Sequence, residues 1–230
     1  MHLLLSGIVG SVAYGLAGPG SDVDRIGVFA APTVAFHGLR PPRESVVSTD
    51  PDVTLHEAGK YARLALSGNP TATELIWLPE DCYETRTDLG DRLIAIRSAF
   101  LSAPRVRDAY LGYASQQFRK LTTRDSTAGG RRRSAKHARH LARLLHQGRT
   151  LYATGVLEIR LADPAWFRAF GERVAGGGLA EAELLVAEAE RDFARLRTPL
   201  PDRPDEAPVE HWLRDVRAAH LPTPGHDVSR

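Results

Sequence analysis

The sequence predicts an α+β chain: a small mixed-sheet module with flanking helices, followed by a helical domain. Three observations predict it. Two apolar runs that suit strands, residues 3–9 and 23–30, both fall near the start. Turn residues also cluster early, at Gly18-Pro19-Gly20 and at Pro32, Pro41 and Pro42. From about residue 88 onward the apolar spacing is almost entirely helical. The change falls near residue 95 without an obvious flexible linker, so the chain divides into 1–95 and 96–221. A Pro- and Gly-containing tail, 222–230, is expected to be disordered.

The elements follow in order. The first strand ends in Gly10-Ser11, and a helix is expected to start near Ser11. A second strand opens with Asp22-Val23-Asp24. Residues 45–48 and 52–55 read as a hairpin, or two adjacent short strands, around Asp50-Pro51. Residues 56–66 form an amphipathic helix, with Ala58, Tyr61, Ala62, Ala65 and Leu66 at helical spacing. Gly68-Asn69-Pro70 stops it. Thr71 or Thr73 then caps a short helix that runs to Leu78, where Pro79 ends it. Further helices are expected over 88–99, 104–121, 134–153, 164–175, 179–197 and 205–220. The polar stretch 123–133, which contains Gly129-Gly130, reads as a mobile loop.

Composition excludes more than it selects. With 43% hydrophobic and 25% charged residues, the 230-residue chain is ordinary for a globular protein. A net charge of +2 does not point to a polyanionic partner. A single cysteine, Cys82, rules out an internal disulfide and a zinc–cysteine cluster, and fits a reducing cytoplasm. The run Leu3-Leu4-Leu5 is too short for a signal sequence, so no export or membrane segment is expected.

The chemistry concentrates between Leu3 and Phe29. Alternate residues of a strand face one side, so Asp22 and Asp24 can point at one spot. Paired carboxylates suit one or two Mg²⁺ ions, which prefer oxygen ligands and also take phosphate oxygens. Gly10 lets the backbone approach a ligand, and Ser11 adds a hydroxyl beside a helix start, which favours phosphate. The same acids also fit a plain Gly-Pro-Gly-Ser-Asp turn that bonds only its own backbone. Other phosphate motifs are absent: there is no Gly-x-x-x-x-Gly-Lys-Ser/Thr, and Gly7-Ile8-Val9-Gly10 completes no dinucleotide fingerprint.

Gly10-Ser11 followed by Asp22-Val23-Asp24 resembles the signature of the DNA polymerase β-type nucleotidyltransferase superfamily. The likeness is closer to a bacterial and phage branch associated with RNA repair. That branch's other markers resemble Lys60-Tyr61-Ala62-Arg63-Leu64, Gly68-Asn69-Pro70-Thr71-Ala72-Thr73-Glu74-Leu75, and the segment from Lys136 through Leu145. Together the blocks span about residues 3–160. The resemblance implies that 1–95 is a minimal nucleotidyltransferase module and that the helical domain contributes to nucleotide and acceptor binding. It also implies two Mg²⁺ or Mn²⁺ ions, an NTP substrate and a third acid on a neighbouring strand.

Asp52, which opens Asp52-Val53-Thr54-Leu55, is the expected third acid, with Asp22 and Asp24 as the other catalytic metal ligands. Asp50 is its rival, because a slip of two residues keeps the strand face; turn or helix capping is the alternative role for Asp52. Asn69 reads as a turn former, and Glu74 as a buried residue able to orient the acids or Lys60. Residues 126–157 contain no acid, and on a helix Lys136, Arg139, His140 and Arg143 form one cationic stripe. A solvated face is the ordinary reading of such a stripe. The resemblance places it over the nucleotide, so Lys136, Arg139 and Arg143 join Gly10 and Ser11 as expected nucleotide-binding residues. Arg131, Arg132 and Arg133 are candidates for RNA phosphates.

The expected reaction is transfer of an NMP from an NTP to an acceptor hydroxyl, with RNA ends, tRNA included, as the first acceptor. A protein hydroxyl or an aminoglycoside-like small molecule is the alternative, and a nucleotide- or RNA-binding module without turnover is the non-enzymatic rival. The base of the NTP and the oligomeric state stay open.

Overall fold

The computed structural model describes residues 1–122 and 128–222. The chain folds into two compact units, the first made of Met1–Val12, Gly20–Phe100 and the chain from Asp205, the second of Ala13–Pro19 and Leu101–Pro204.

The first unit is built on a mixed five-stranded sheet. Its centre is β1 (His2–Val9) paired antiparallel with β2 (Asp24–Ala30). Leu4, Leu5, Ile26, Val28, Phe29 and Ala30 are all buried, which explains apolar runs without alternation in these two strands. β3 (Ser45–Thr49) and β4 (Asp52–Glu57) form the expected hairpin, and β4 lies parallel to β2. β5 (Tyr83–Arg86) pairs with β1 at the far edge, completing the order β3-β4-β2-β1-β5. The apolar-run criterion misses β5 because it is four residues long and polar, alternating half-buried and exposed side chains.

Helices stack on this sheet, with several expected boundaries corrected: the short helix after Asn69 ends at Leu75 and not at Leu78, and the α-helix expected over 88–99 ends at Ala95. The helix near Ser11 is one turn only, α1 (Gly10–Ala13). The helix expected from residue 56 starts two residues later, as α2 (Ala58–Leu66), because Glu57 stays extended and caps it. The Glu57 carboxylate accepts from the Gly59 N–H at 2.8 Å. In α3 (Pro70–Leu75), the cap is Asn69 rather than Thr71 or Thr73. Asn69 Oδ1 accepts from the Ala72 N–H at 3.1 Å, and Pro70 occupies the first helical position, where its missing N–H costs nothing. Tyr61, fully buried in α2, donates to the Ala72 carbonyl at 2.8 Å and ties the two helices together. α4 (Asp88–Ala95) lies so close to β1 that a Cβ on Gly90 would sit 2.4 Å from the Leu4 carbonyl oxygen.

The last helix, α9 (Glu206–Ala219), belongs to the first unit and not to the helical domain that a boundary at residue 95 gives it. Its apolar face, Val209, Trp212 and Val216, is buried, and Trp212 Nε1 donates to the Leu89 carbonyl at 2.9 Å. Arg217 donates to both Glu57 oxygens, at 2.6 and 3.0 Å, and lies over the Phe36 ring at 4.1 Å. Helical spacing shows that a helix has an apolar face but not which layer covers it.

The second unit is a bundle of α5 (Ala103–Thr122), α6 (Ala128–Thr154), α7 (Pro164–Ala175) and α8 (Leu179–Arg195), joined by Ala13–Pro19. Asp163 caps α7 by accepting from the Trp166 N–H at 3.0 Å. Tyr152 of α6 meets Phe193 of α8 edge-on at 5.2 Å. Of the loop expected at 123–133, residues 128–133 are helical, since α6 starts at Ala128. Residues 123–127 lie outside the described residues, as does the expected tail beyond residue 222.

Candidate functional site

The end of β1 and the start of β2 meet at Gly10. Val9 is the register partner of Asp24, so the turn after β1 lies beside the first residue of β2. Gly10 adopts φ +70°, and a Cβ there would lie 2.3 Å from Asp24 Oδ2. Left-handed backbone and a carboxylate in the place of a side chain both demand glycine. Ser11 follows in the single turn of α1, half-buried. The carboxylate of Asp24 is thus held against a turn whose next residue carries a hydroxyl.

The other acids are placed by the strands. Asp22 lies two residues before β2 and is exposed. Asp52 opens β4, also exposed, opposite Thr49. The parallel ladder begins at Arg25 with Val53, so Asp24 and Asp52 each stand one residue ahead of that pair and share a sheet face. Asp50 instead lies in the turn between β3 and β4, where its carbonyl accepts from Ser48 Oγ at 3.3 Å. Arg25, on the opposite face, is engaged by Glu84 at 2.9 Å. Among the described residues, no three acids, histidines or cysteines gather into a formed metal cluster. Asp22, Asp24, Asp52 and Ser11 offer only oxygen donors, the ligand type that hard cations such as Mg²⁺ prefer.

Asn69 is a helix cap, and Glu74 is buried on α3 at 2% exposure. Lys60, half-buried on α2, has its ammonium 3.8 Å from Glu44. The groove between α2 and α9, lined by Gly59, Ala62, Arg63, Leu66, Glu206 and Val209, includes none of the candidate site residues.

The cationic stripe of α6 divides in the structure. Lys136 is exposed, while Arg139 is half-buried and 3.9 Å from Glu172. Arg143 is 2% exposed. Its guanidinium donates to Gln147 Oε1 at 2.5 Å and to His140 Nδ1 at 3.2 Å, and lies 4.1 Å from the centre of the Tyr14 ring. The i, i+3, i+4, i+7 spacing correctly aligned these residues on one side of a helix, but that side passes from solvent into the bundle. Ala142, Leu144 and Leu145 around Arg143 were the sequence signal of burial. Tyr14, which the sequence reading did not single out, completes the Arg143 cluster, and Arg168, also not singled out, holds the residues that follow Tyr14. Arg168 Nη2 donates to the carbonyls of Gly15 and Ala17 at 2.7 and 3.4 Å.

Burial, then Arg143, His137, Lys120 and Lys136, push the His140 imidazole down to about 3. His140 is therefore neutral in the folded protein when it begins to protonate in the unfolded chain, near pH 6.5. Its contribution to stability is complete above about pH 6.5 and is lost as pH falls from there towards about 3. His137 and His146, both lowered chiefly by burial, add in the same direction. Replacing His140 with Gln is expected to reduce, without removing, the fall in melting temperature between about pH 7.5 and about pH 5. Calorimetry checks this, and an unchanged slope overturns it.

Fold and site together define an α+β protein with a glycine–serine turn set against an acidic strand start. The family comparison is more particular. A model of the RlaP family, described as the RNA repair pathway DNA polymerase beta family, matches residues 1–162, and the chain belongs to that family. Membership in a polymerase-β-like RNA repair family suggests nucleotidyltransferase activity. No curated protein matches the chain. Among the described residues, no helix is long and apolar enough to cross a membrane.

Proposed function

We propose that this protein is a metal-dependent nucleotidyltransferase that moves an NMP from an NTP to an acceptor hydroxyl on RNA and releases pyrophosphate. The observation that carries the reading is the Asp24 carboxylate seated where a side chain on Gly10 would be. Gly10 and Ser11 bind the β- and γ-phosphate oxygens through the turn and the hydroxyl. Asp22, Asp24 and Asp52 would hold two Mg²⁺ or Mn²⁺ ions, which when bound supply charge neutralisation at the phosphates. Asp52 accepts the proton of the acceptor hydroxyl. The acceptor oxygen forms a bond to the α-phosphorus, the bond from that phosphorus to the bridging oxygen breaks in line, and pyrophosphate carries the electron pair away. An RNA acceptor is supported by the family's link to RNA repair and by the exposed Arg131, Arg132 and Arg133 on α6.

The deciding experiment incubates the protein with each labelled NTP, Mg²⁺ or Mn²⁺, and total RNA. Labelled RNA supports the reading. Label on protein or on a small-molecule acceptor, or binding without transfer, replaces it with the corresponding alternative.

Asp52→Asn is expected to lower the transfer rate by roughly 10²–10⁴-fold, with nucleotide binding less affected. Asp50→Asn is the control, since Asp50 lies in the turn and outside β4. Single-turnover kinetics on both variants checks the assignment, and the reverse ranking removes Asp52 from it.

Lys136 and Arg139 are proposed for nucleotide phosphates on the strength of their charge; Arg143, enclosed in the bundle, is left out. Lys136→Ala is expected to weaken NTP binding by about 1–3 kcal/mol, the range of a charge-assisted hydrogen bond. Titration calorimetry checks this, and unchanged affinity in Lys136→Ala and Arg139→Ala alike makes the helix a solvated face.

A further inference from the structure

We infer that Arg143 and Arg168 are positioning residues that fix the segment Ala13–Pro19 and so hold the Gly10-Ser11 turn and the acids Asp22 and Asp24 in register with each other. The inference rests on the function proposed above.

The path of the chain carries the argument. Gly10, Ser11, Asp22 and Asp24 all belong to the first unit, yet the residues joining the two pairs, Ala13–Pro19, belong to the second. Within the second unit that segment is held at four successive points. The Tyr14 ring, 6% exposed, takes the Arg143 guanidinium on its face at 4.1 Å. The Tyr14 carbonyl accepts from the Leu161 N–H at 3.2 Å. The carbonyls of Gly15 and Ala17 accept from Arg168 Nη2 at 2.7 and 3.4 Å.

Arg143 is itself fixed from behind. His140 and Gln147, one turn to either side on α6, accept from its guanidinium, and Gln147 Nε2 donates to the carbonyls of Glu158 and Ile159 at 3.0 and 3.2 Å. Neutral acceptors and an aromatic face let the guanidinium stay buried while directing it at one ring. The same chain that brings Leu161 to Tyr14 is thus anchored through Gln147 to Arg143.

A free connection between phosphate turn and acids would be ordered only when substrate binds, at the expense of affinity or rate. Fixing it beforehand preserves the geometry of in-line attack, for which a displacement of about 1 Å costs on the order of 10²-fold in rate.

Hydrogen exchange read by mass spectrometry on the full chain tests the inference, together with transfer kinetics. Arg143→Gln and Arg168→Ala are each expected to speed exchange in peptides covering residues 10–24 by about tenfold or more. They are also expected to lower kcat by about 10²-fold, with a smaller change in the KM for NTP. Arg168→Lys, which keeps a donor, should recover part of both losses. Arg149→Ala, on α6 like Arg143 but ion-paired with Asp192 of α8, should change neither. Arg168 is exposed, so its variant keeps the test alive if Arg143→Gln does not fold.

Unchanged exchange in Arg168→Ala, with normal transfer, overturns the inference. A raised KM with unchanged exchange in Arg143→Gln overturns it too, by making Arg143 a nucleotide ligand. If exchange rises in the variants but the wild type transfers no nucleotide, the proposed function fails and the segment's anchoring stands as a structural fact.

Discussion

Asp24→Asn and Asp22→Asn are each expected to abolish nucleotidyl transfer while leaving the chain folded. Loss of one charged ligand removes several kcal/mol of transition-state stabilisation, and each 1.36 kcal/mol is a factor of ten, so the rate should fall by about 10³-fold or more. Asparagine keeps the shape of aspartate, Asp22 is exposed, and Asp24 stands at the first residue of β2, so neither change disturbs the apolar core. Gly10→Ala belongs to the same test. Its Cβ would fall 2.3 Å from Asp24 Oδ2 on a backbone at φ +70°, so it should displace the carboxylate and also cost about 1–2 kcal/mol of stability. Transfer of labelled NMP measures the first effect and thermal melting the second. Mn²⁺ binding to the protein, followed by electron spin resonance, should weaken in both Asn variants. Wild-type rates in both would remove the metal site from the reading.

The largest expected effect on stability is at Glu57 and Arg217. The Glu57 side chain is 5% exposed and receives both Arg217 donors as well as the Gly59 N–H. Arg217→Met leaves that carboxylate buried with most of its partners gone, which should cost about 3–5 kcal/mol. Glu57→Gln, which keeps a cap acceptor for α2, should cost less. The double variant should be less destabilised than the sum of the two, because no uncompensated charge remains. Chemical denaturation of the three variants measures the coupling, and strict additivity would mean that the pair does not act as a unit.

How much was legible in the sequence depended on whether a feature is local. Strands β1 and β2, the hairpin of β3 and β4, and α7 are set by runs, turns and caps within a few residues, and the sequence located them closely. In the sequence Asp52 is preferred to Asp50 on the family resemblance, because strand alternation alone gives both the same face; the ladder adds that Asp52 opens β4 while Asp50 lies in the turn before it. The α6 stripe shows the opposite case. Spacing aligned Lys136, Arg139, His140 and Arg143, but which of them meets solvent depends on Tyr14, more than a hundred residues earlier in the chain. The placement of α9 was hidden for the same reason, since its partner Glu57 is 160 residues away. The family markers end near residue 160, and the family match ends at residue 162, short of α9.

The interrupted first unit has a consequence for how the protein is made. Glu57 leaves the ribosome long before Arg217, with all of Leu101–Pro204 synthesised in between. At about 5–20 residues per second, the 160 residues that separate them take on the order of 10–30 s. Throughout that interval the nascent sheet carries a carboxylate whose partner does not yet exist and an apolar surface that Trp212 has yet to cover. The helical bundle, continuous apart from Ala13–Pro19, has all its residues available first. Synthesis therefore completes the module that carries the acids last, and a chain released early would present a folded bundle attached to an open sheet.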